Sequence, residues 1–233
     1  MHLIEQRLAW IEAGAARLLS YVDKLPDDGF AAASSLPGWT VGHLVAHLGY
    51  NAKALSRLLR WARTGVVTPM YADGGARDAE IEHGATLVPA ELRDLVRGFD
   101  TRLRAELAEF PGDGWQRFVV TAQGQAVPVS VVPWLRTREL WIHGADLGIG
   151  AGFDDFPPEL LDALLTDLTA ARRDAGVGPG LLLRPVDRAR DWNVDVPDAR
   201  PVTVDGTAAD LCRWLTGRGT GALADPPALD RWL

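Results

Sequence analysis

Two side chains in the segment RELWIHGADL, residues 138–147, have the types and the spacing of metal ligands. Glu139 and His143 lie four positions apart, so on a helix they project from the same face, one turn apart. A carboxylate oxygen and an imidazole nitrogen at this spacing can bind one divalent metal ion, and zinc accepts both. Two protein ligands are too few for a zinc site, so a third ligand must come from another helix.

A pair of histidines earlier in the chain offers that third ligand. His43 and His47 lie four positions apart in LPGWTVGHLVAHL, on a segment with an apolar stripe of Val41, Leu44, Leu48, Leu55, Leu58 and Leu59. At about 100° per residue, His47 falls at the edge of this stripe and His43 about 40° further from it. The helical wheel therefore favours His47 as the inward-facing ligand.

The segment with Glu139 and His143 has further polar residues on the same side. Arg136 and Asp146 fall with them in a strip roughly 80° wide on the helical wheel, with apolar residues at its borders. A polar strip of this kind is typical of a pocket wall rather than of a solvent-facing surface. Arg136 could reach the pocket or form a surface ion pair. Asp146 could hold a ring nitrogen of His143 or serve as a helix-terminal charge.

The elements that must position these residues follow from the hydrophobic pattern. Four segments have the 3.6-residue periodicity of amphipathic helices, namely residues 3–22, 40–64, 89–110 and 131–147. Thr40 is the expected N-cap of the second helix, and Pro89 suits the first turn of the third. Residues 65–88 are expected to be irregular with a short helical patch, and residues 111–133 to form a hairpin or extended connector. Together these segments predict a four-helix bundle in residues 1–150.

The remaining residues, 151–233, mix strands with helices. Helices are expected at 157–176 and 207–217, and strands within 180–196 and 200–206. This mix predicts a small C-terminal α+β domain, so the fold class of the whole chain is α+β.

The bulk properties exclude several classes of protein. The chain has 233 residues, 47% of them hydrophobic, and a formal net charge of −7, which argues against a nucleic-acid-binding protein with a basic surface. We find no run of about 18 apolar residues and no signal-like start, so we expect no membrane partner. Cys212 is the single cysteine, which excludes an intrachain disulfide and fits a cytoplasmic location.

Two motifs together resemble those of a known family. The segments SSLPGWTVGHLVAHL and RTRELWIHGADLGIG are similar to the mycothiol-dependent maleylpyruvate isomerase family, part of the DinB-like group of four-helix metalloproteins. The similarity extends over nearly the whole chain, including ARDAEIEHGA and VTVDGTAADLCRWLTGRG. It implies a DinB-like, metal-binding bundle in residues 1–150 and the family's small second domain in residues 151–233.

The resemblance also implies a ligand set and a reaction. In the family the metal, usually zinc, is bound by residues that match His47, Glu139 and His143, although other divalent metals suit these donors too. The metal would hold a low-molecular-weight thiol as thiolate, with mycothiol expected first and glutathione as the alternative. Reversible thiolate addition to the cis double bond of maleylpyruvate, followed by rotation and thiolate expulsion, would give fumarylpyruvate.

Two arginines are the candidates for contacting anionic groups of the thiol or the substrate. Arg218, in WLTGRG, lies where the family motif has an arginine, and it is expected to act in catalysis and to bind a carboxylate. A helix C-terminal charge would explain it equally well. Arg136 is the second candidate for binding the thiol cofactor. Cys212 is expected to be a small buried hydrophobic residue.

Other functions use the same residues. A thiol S-transferase, which conjugates mycothiol or a related thiol to an electrophile, needs the same metal-activated thiolate. A non-enzymatic ligand-binding module with a structural metal is a third alternative. Without the resemblance, the Glu139–His143 spacing would also fit an ordinary surface pair.

Overall fold

The computed structural model describes residues 2–148, 152–176, 178–197 and 200–230. The chain divides into two compact units, Met1–Gly150 and Ala151–Leu233.

The first unit is a four-helix bundle with one inserted helix. Its helices are α1 (His2–Lys24), α2 (Val41–Thr64), α3 (Ala76–Ala85), α4 (Pro89–Ala108) and α5 (Val132–Asp146). α2 packs against α4 and α5, α1 packs against the same two helices, and α3 lies on α2. The bundle predicted from the sequence periodicity is confirmed, and the helical patch in the long excursion is α3.

Local sequence signals set where these helices begin and end. The Thr40 side chain caps α2 by accepting a hydrogen bond from the backbone N–H of His43. The same helix ends at Gly65, whose φ of 73° is left-handed, a conformation that glycine adopts without a Cβ clash. Pro89 begins α4, where its missing N–H costs no helical hydrogen bond.

α2 is the central helix of the first unit. Its leucines at 44, 48, 55 and 58 are 0% exposed, so the apolar stripe read from the sequence is the face buried in the bundle. Full burial of each such side chain stabilises the fold by about 1.5–3 kcal/mol. α2 and α5, which carry the candidate ligands, pack directly against each other in this bundle.

Between α4 and α5 the chain forms a two-stranded antiparallel hairpin of β1 (Phe118–Val120) and β2 (Ala126–Pro128). Arg117, just before β1, donates a 2.8 Å hydrogen bond to the carbonyl of Ala62 near the end of α2. The hairpin thus lies against the far end of α2 from His47.

The second unit contains a three-stranded sheet and two helices. Its elements are α6 (Pro158–Ala175), β3 (Leu181–Pro185), β4 (Trp192–Val194), β5 (Val202–Gly206) and α7 (Ala208–Leu215). The strand order is β4-β3-β5, with β4 antiparallel and β5 parallel to β3. The α+β class is confirmed. In the part of the chain that the structure describes, no helix has the length and apolar character needed to cross a membrane.

Candidate metal centre

Three side chains from α2 and α5 converge in the first unit. One donor atom from each of His47, Glu139 and His143 lies within 4.8 Å of the other two, and this is the only such group found among the described residues. His47 is buried and the other two are half-buried. The sequence analysis selected the same three residues.

The distances show that the three donors face a common point. Oε2 of Glu139 lies 2.9 Å from Nε2 of His47 and 3.4 Å from Nε2 of His143. The two imidazole rings are 4.9 Å apart between centroids and nearly perpendicular, at 88°. One carboxylate oxygen between two imidazole nitrogens is an arrangement that a divalent cation can occupy with little movement, so the donor set fits a metal such as zinc.

Asp146 orients one of these imidazoles. Nδ1 of His143 lies 2.8 Å from Oδ2 of Asp146, whose side chain is only 1% exposed. With Nδ1 bound to this carboxylate, Nε2 is the ring nitrogen left to face Glu139 and a metal. Of the two roles that the sequence allowed for Asp146, the contact with His143 is confirmed.

His43 is used differently from His47. Its Nδ1 accepts a hydrogen bond from the backbone N–H of Thr40, 3.2 Å away, and so completes a capping box at the start of α2. Its Nε2 lies 3.6 Å from Glu82 on α3. This capping role fits the position that the helical wheel gave His43, away from the buried stripe.

Glu139, the two histidines and Asp146 form one hydrogen-bonded network whose members shift one another's pKa values. Burial alone would raise the pKa of Glu139, but the charge of His47 and hydrogen bonds from both histidines hold it well below its usual value. Burial alone would lower the pKa of His143, but hydrogen bonds to Asp146 and Glu139 raise it. Burial lowers the pKa of His47 despite the nearby Glu139. The lowered pKa of Glu139 and the raised pKa of His143 both indicate that a positive charge beside the Glu139 carboxylate is stabilised.

Tyr71, in the segment before α3, and Arg77, in the first turn of α3, are polar residues that the sequence analysis missed. Burial raises the pKa of Tyr71 to about 12, and the charge of Glu139 adds to the shift, so the phenol is protonated at neutral pH. The charge of Arg77 opposes that shift and also lowers the pKa of His47. The segment lacked any periodicity that would have shown which of its side chains face α2.

Arg136 is reassigned from cofactor binding to the core of the bundle. Its side chain is 0% exposed and its Nη2 lies 2.8 Å from Oδ1 of Asp100 on α4. Its Nη1 donates to the carbonyl of Leu48 and to Oδ1 of Asn51 on α2. A fully buried guanidinium with these partners has no surface to offer a diffusible thiol.

Arg218 lies in the second unit, directly after α7. It is half-buried, and its Nη1 donates a 2.7 Å hydrogen bond to the carbonyl of Thr216. The flanking Gly217 and Gly219 have left-handed φ values of 75° and 93°, a backbone that a bulkier residue would strain. Cys212, on α7, is 0% exposed, as its apolar sequence context predicted.

The chain is similar to known proteins over most of its length. Residues 11–148 match the family described as mycothiol maleylpyruvate isomerase N-terminal domain. The crystal structure of a mycothiol-dependent maleylpyruvate isomerase has a TM-score of 0.92 and 37% identity, over 98% of this chain and 97% of that chain. The crystal structure of a histidine-to-alanine mutant of a mycothiol-dependent maleylpyruvate isomerase has a TM-score of 0.92 and 36% identity, again over 98% of this chain and 97% of that chain. An uncharacterized protein of Mycobacterium tuberculosis (strain ATCC 25618 / H37Rv) is 26% identical over 97% of this chain and 92% of its own length.

Proposed function

This chain belongs to the mycothiol maleylpyruvate isomerase family, and from that premise we propose that it is a mycothiol-dependent enzyme that isomerises maleylpyruvate to fumarylpyruvate. The observation that carries the proposal is the convergence of His47, Glu139 and His143 in a chain that is similar to such isomerases from end to end. The substrate and the thiol are both small molecules, and the thiol is regenerated in each turnover.

We propose that His47, Glu139 and His143 bind one divalent metal ion, zinc in the first place. When bound, the ion would supply Lewis acidity and would stabilise a coordinating thiol as thiolate. The three residues leave coordination positions open for such a ligand, as in other catalytic sites with three protein ligands. Through its contact with Nδ1, Asp146 would keep Nε2 of His143 available to such an ion.

The residues around the centre suit the charge that develops during the reaction. Addition of a thiolate to the double bond moves negative charge onto the conjugated carbonyl oxygen. We propose that the neutral phenol of Tyr71, whose pKa is raised in part by the charge of Glu139, donates a hydrogen bond to that oxygen, and that Arg77, whose charge acts on both His47 and Tyr71, adds positive charge near it. Donors placed in advance where charge develops are a major source of enzymatic rate enhancement.

The chain supplies no thiolate of its own. Cys212 is its single cysteine, and burial raises the pKa of that thiol, so the thiol is inert at neutral pH. A diffusible thiol is therefore required. Reduced low-molecular-weight thiols are kept in the cytoplasm, which supports a cytoplasmic location.

We keep Arg218 as a proposed contact for a carboxylate of the substrate or the thiol. Its guanidinium is held by backbone contacts after α7, and the two flanking glycines leave room for a ligand to approach. A bidentate contact would make Arg218→Lys a poor replacement. The expected result is a raised KM for maleylpyruvate with unchanged metal content.

The decisive experiment measures bound metal and thiol-dependent isomerase activity in the same preparations. Wild type is expected to bind about one zinc per chain and to convert maleylpyruvate only when mycothiol is added. Glu139→Gln and His47→Ala should lose both metal and activity while staying folded. A thiol S-transferase would instead consume the thiol in proportion to the product formed.

His43→Gln is the matched control. Glutamine is a usual third residue of a capping box, so this variant keeps the start of α2 and removes an imidazole one turn from His47. It should keep its metal and its activity. Turnover of maleylpyruvate by a metal-free protein, or without added thiol, would contradict the proposal.

A further inference from the structure

The loop before α2, which has the sequence SSLPGWT, has a defined structure of its own. We call residues 34–40 the PGW loop. Ser34 closes it, because its backbone N–H and its hydroxyl both donate to the carbonyl of Trp39 at 2.9 Å. The neighbouring Ala33 and Thr40 form a β-bridge, and Gly38 has a left-handed φ of 82°. The loop is therefore a rigid unit rather than a flexible connection.

On one side the PGW loop contacts the helix that carries His47. Thr40 caps α2, and the Trp39 ring lies 5.5 Å from the His47 ring between centroids. Tryptophan packing at this distance limits how far the imidazole of His47 can rotate.

On the other side the loop reaches the second ligand-bearing helix. The Ser35 hydroxyl donates to the backbone carbonyl of Asp146 at 2.9 Å and lies 3.4 Å from its Oδ1. The other carboxylate oxygen, Oδ2, lies 2.8 Å from Nδ1 of His143. A continuous chain of hydrogen bonds thus runs from the loop through a buried carboxylate to the ring of a candidate ligand.

We propose that Ser35 and Asp146 are positioning residues of the metal centre, so that the PGW loop sets the orientation of His143. Asp146 holds the imidazole with Nδ1 protonated and Nε2 directed at the metal, and Ser35 holds Asp146. A carboxylate in this position also makes the imidazole a stronger ligand, and loss of such partners typically weakens metal binding 10- to 100-fold. The inference rests on the metal part of the proposed function and is independent of the substrate.

The alternative to this positioning role is that the same contacts only stabilise the fold. The Ser35 hydroxyl also caps a carbonyl at the last turn of α5, which by itself would stabilise the helix end. If the role is only structural, loss of the contact should lower the stability of the metal-free protein and leave its metal affinity unchanged. If the contact orients His143, its loss should lower the metal affinity more than the stability.

The test is a competition titration of the full-length protein with zinc alone against a chromophoric chelator, together with thermal unfolding of the metal-free form. Asp146→Asn keeps the size of the side chain and its acceptor for Ser35 but loses the charge. It should bind zinc about 10- to 100-fold more weakly, with little change in metal-free stability at a pH where His143 is neutral and the charge of Asp146 stabilises no imidazolium. Ser35→Ala should show a smaller loss, roughly threefold to tenfold.

Ser34→Ala is the matched control, because among the residues that the structure describes the Ser34 hydroxyl bonds only within the loop, to Leu36 and Trp39. Wild-type zinc affinity in Asp146→Asn would overturn the inference. So would equal losses in Ser34→Ala and Ser35→Ala, since loop integrity alone would then explain both. The ring-nitrogen NMR shifts of His143 in the metal-free protein give a second readout, and an unprotonated Nδ1 in wild type would also overturn it.

These outcomes are separable from failure of the isomerase proposal. If wild type binds zinc with the expected loss in Asp146→Asn but does not turn over maleylpyruvate, the positioning role stands and the proposed reaction fails. If wild type binds no zinc, the metal centre itself is wrong and the inference fails with it.

Discussion

At the scale of single residues, the pKa values of the two candidate histidine ligands are shifted in opposite directions. The pKa of His143 is raised because Asp146 and Glu139 outweigh its burial, whereas burial lowers the pKa of His47. His143 on α5 therefore gains its proton at a higher pH than a free histidine does, and His47 on α2 gains its proton at a lower pH. This difference gives the metal-free protein a specific pH signature.

The stability of the metal-free protein should fall as the pH rises above 6.5. A histidine with a raised folded pKa contributes stability that is fully present below its unfolded value of 6.5 and is lost as the pH rises through the folded value. His47, with its lowered pKa, changes stability only below pH 6.5, so the two effects do not overlap. Thermal unfolding in the presence of a chelator, at stepped pH, measures the fall.

His143→Gln is the comparison for that measurement. It removes the titrating group, so its melting temperature should depend less on pH above 6.5 than that of wild type. Parallel curves for the two proteins would contradict the raised pKa of His143.

Replacement of Arg77 should weaken binding of the anionic substrate. Arg77 is 41% exposed at its side chain and pairs with Asp78, yet its charge acts on His47 and Tyr71. In Arg77→Gln we expect KM for maleylpyruvate to rise about tenfold, the size of one hydrogen bond to a charged group, with kcat and zinc content little changed. Arg60→Gln, an exposed arginine on α2, removes the same charge and should leave KM unaltered.

The sequence predicted those features of the site that depend on the geometry of a single helix, and it missed those that depend on contacts between elements. The spacing of Glu139 and His143, and the edge position of His47, follow from helical geometry and were correct as a converging group. Arg136 shares that geometry, but the wheel could not show that Asp100 on α4 lies opposite it. Tyr71 had no periodic signal at all, because its position depends on how an irregular segment folds back over α2.

At the scale of elements, a buried polar cluster fixes how three helices meet. Arg136 on α5 pairs with Asp100 on α4 and also binds the carbonyl of Leu48, the residue that follows His47 on α2. The second oxygen of Asp100 accepts a 2.8 Å hydrogen bond from Arg104. The register between the two ligand-bearing helices is therefore set by hydrogen bonds as well as by apolar packing.

Arg136→Met should destabilise the protein strongly. The substitution leaves the carboxylate of Asp100 buried with one partner removed, and breaking a buried pair in this way costs about 3–5 kcal/mol. Urea unfolding of the metal-free protein measures the loss. Arg102→Met removes the 66%-exposed partner of an ion pair on α4 and should cost no more than about 1 kcal/mol. Similar losses of stability in the two variants would show that the buried cluster does not stabilise the bundle more than a surface ion pair does.

The helices themselves were predictable because their signals are local. Thr40, Gly65 and Pro89 mark their ends by capping chemistry that acts within a few residues. The sheet of the second unit was predicted only as strand-like segments. Its order depends on which distant strands pair, and a parallel partner such as β5 for β3 leaves no mark on either strand's own sequence.

At the scale of the whole molecule, the protein's own cysteine is kept out of the proposed thiol reaction. Cys212 is 0% exposed and its Sγ lies 3.6 Å from the carbonyl of Leu161. The thiol of the proposed reaction is therefore expected to be a diffusible molecule, and burial protects the protein's own thiol from electrophiles in solution.

Alkylation of the native protein should leave the activity intact. We expect full isomerase activity after treatment with iodoacetamide and removal of the reagent, because the buried thiol is both inaccessible and protonated. A thiol-reactive dye should label one site per chain only after unfolding in urea. Rapid labelling of the folded protein together with loss of activity would show instead that Cys212 takes part in the reaction.

The buried pair of Arg136 and Asp100 also restricts how this chain can change by descent. Loss of Asp100 alone leaves the Arg136 guanidinium buried without its paired carboxylate, and loss of Arg136 alone leaves Asp100 with only its contact to Arg104 from this cluster. Joint replacement of such a pair by apolar residues of similar volume is tolerated in other proteins. The two codons are therefore expected to be inherited together or to be exchanged together. A descendant that carries methionine at one position should have lost the charge at the other as well.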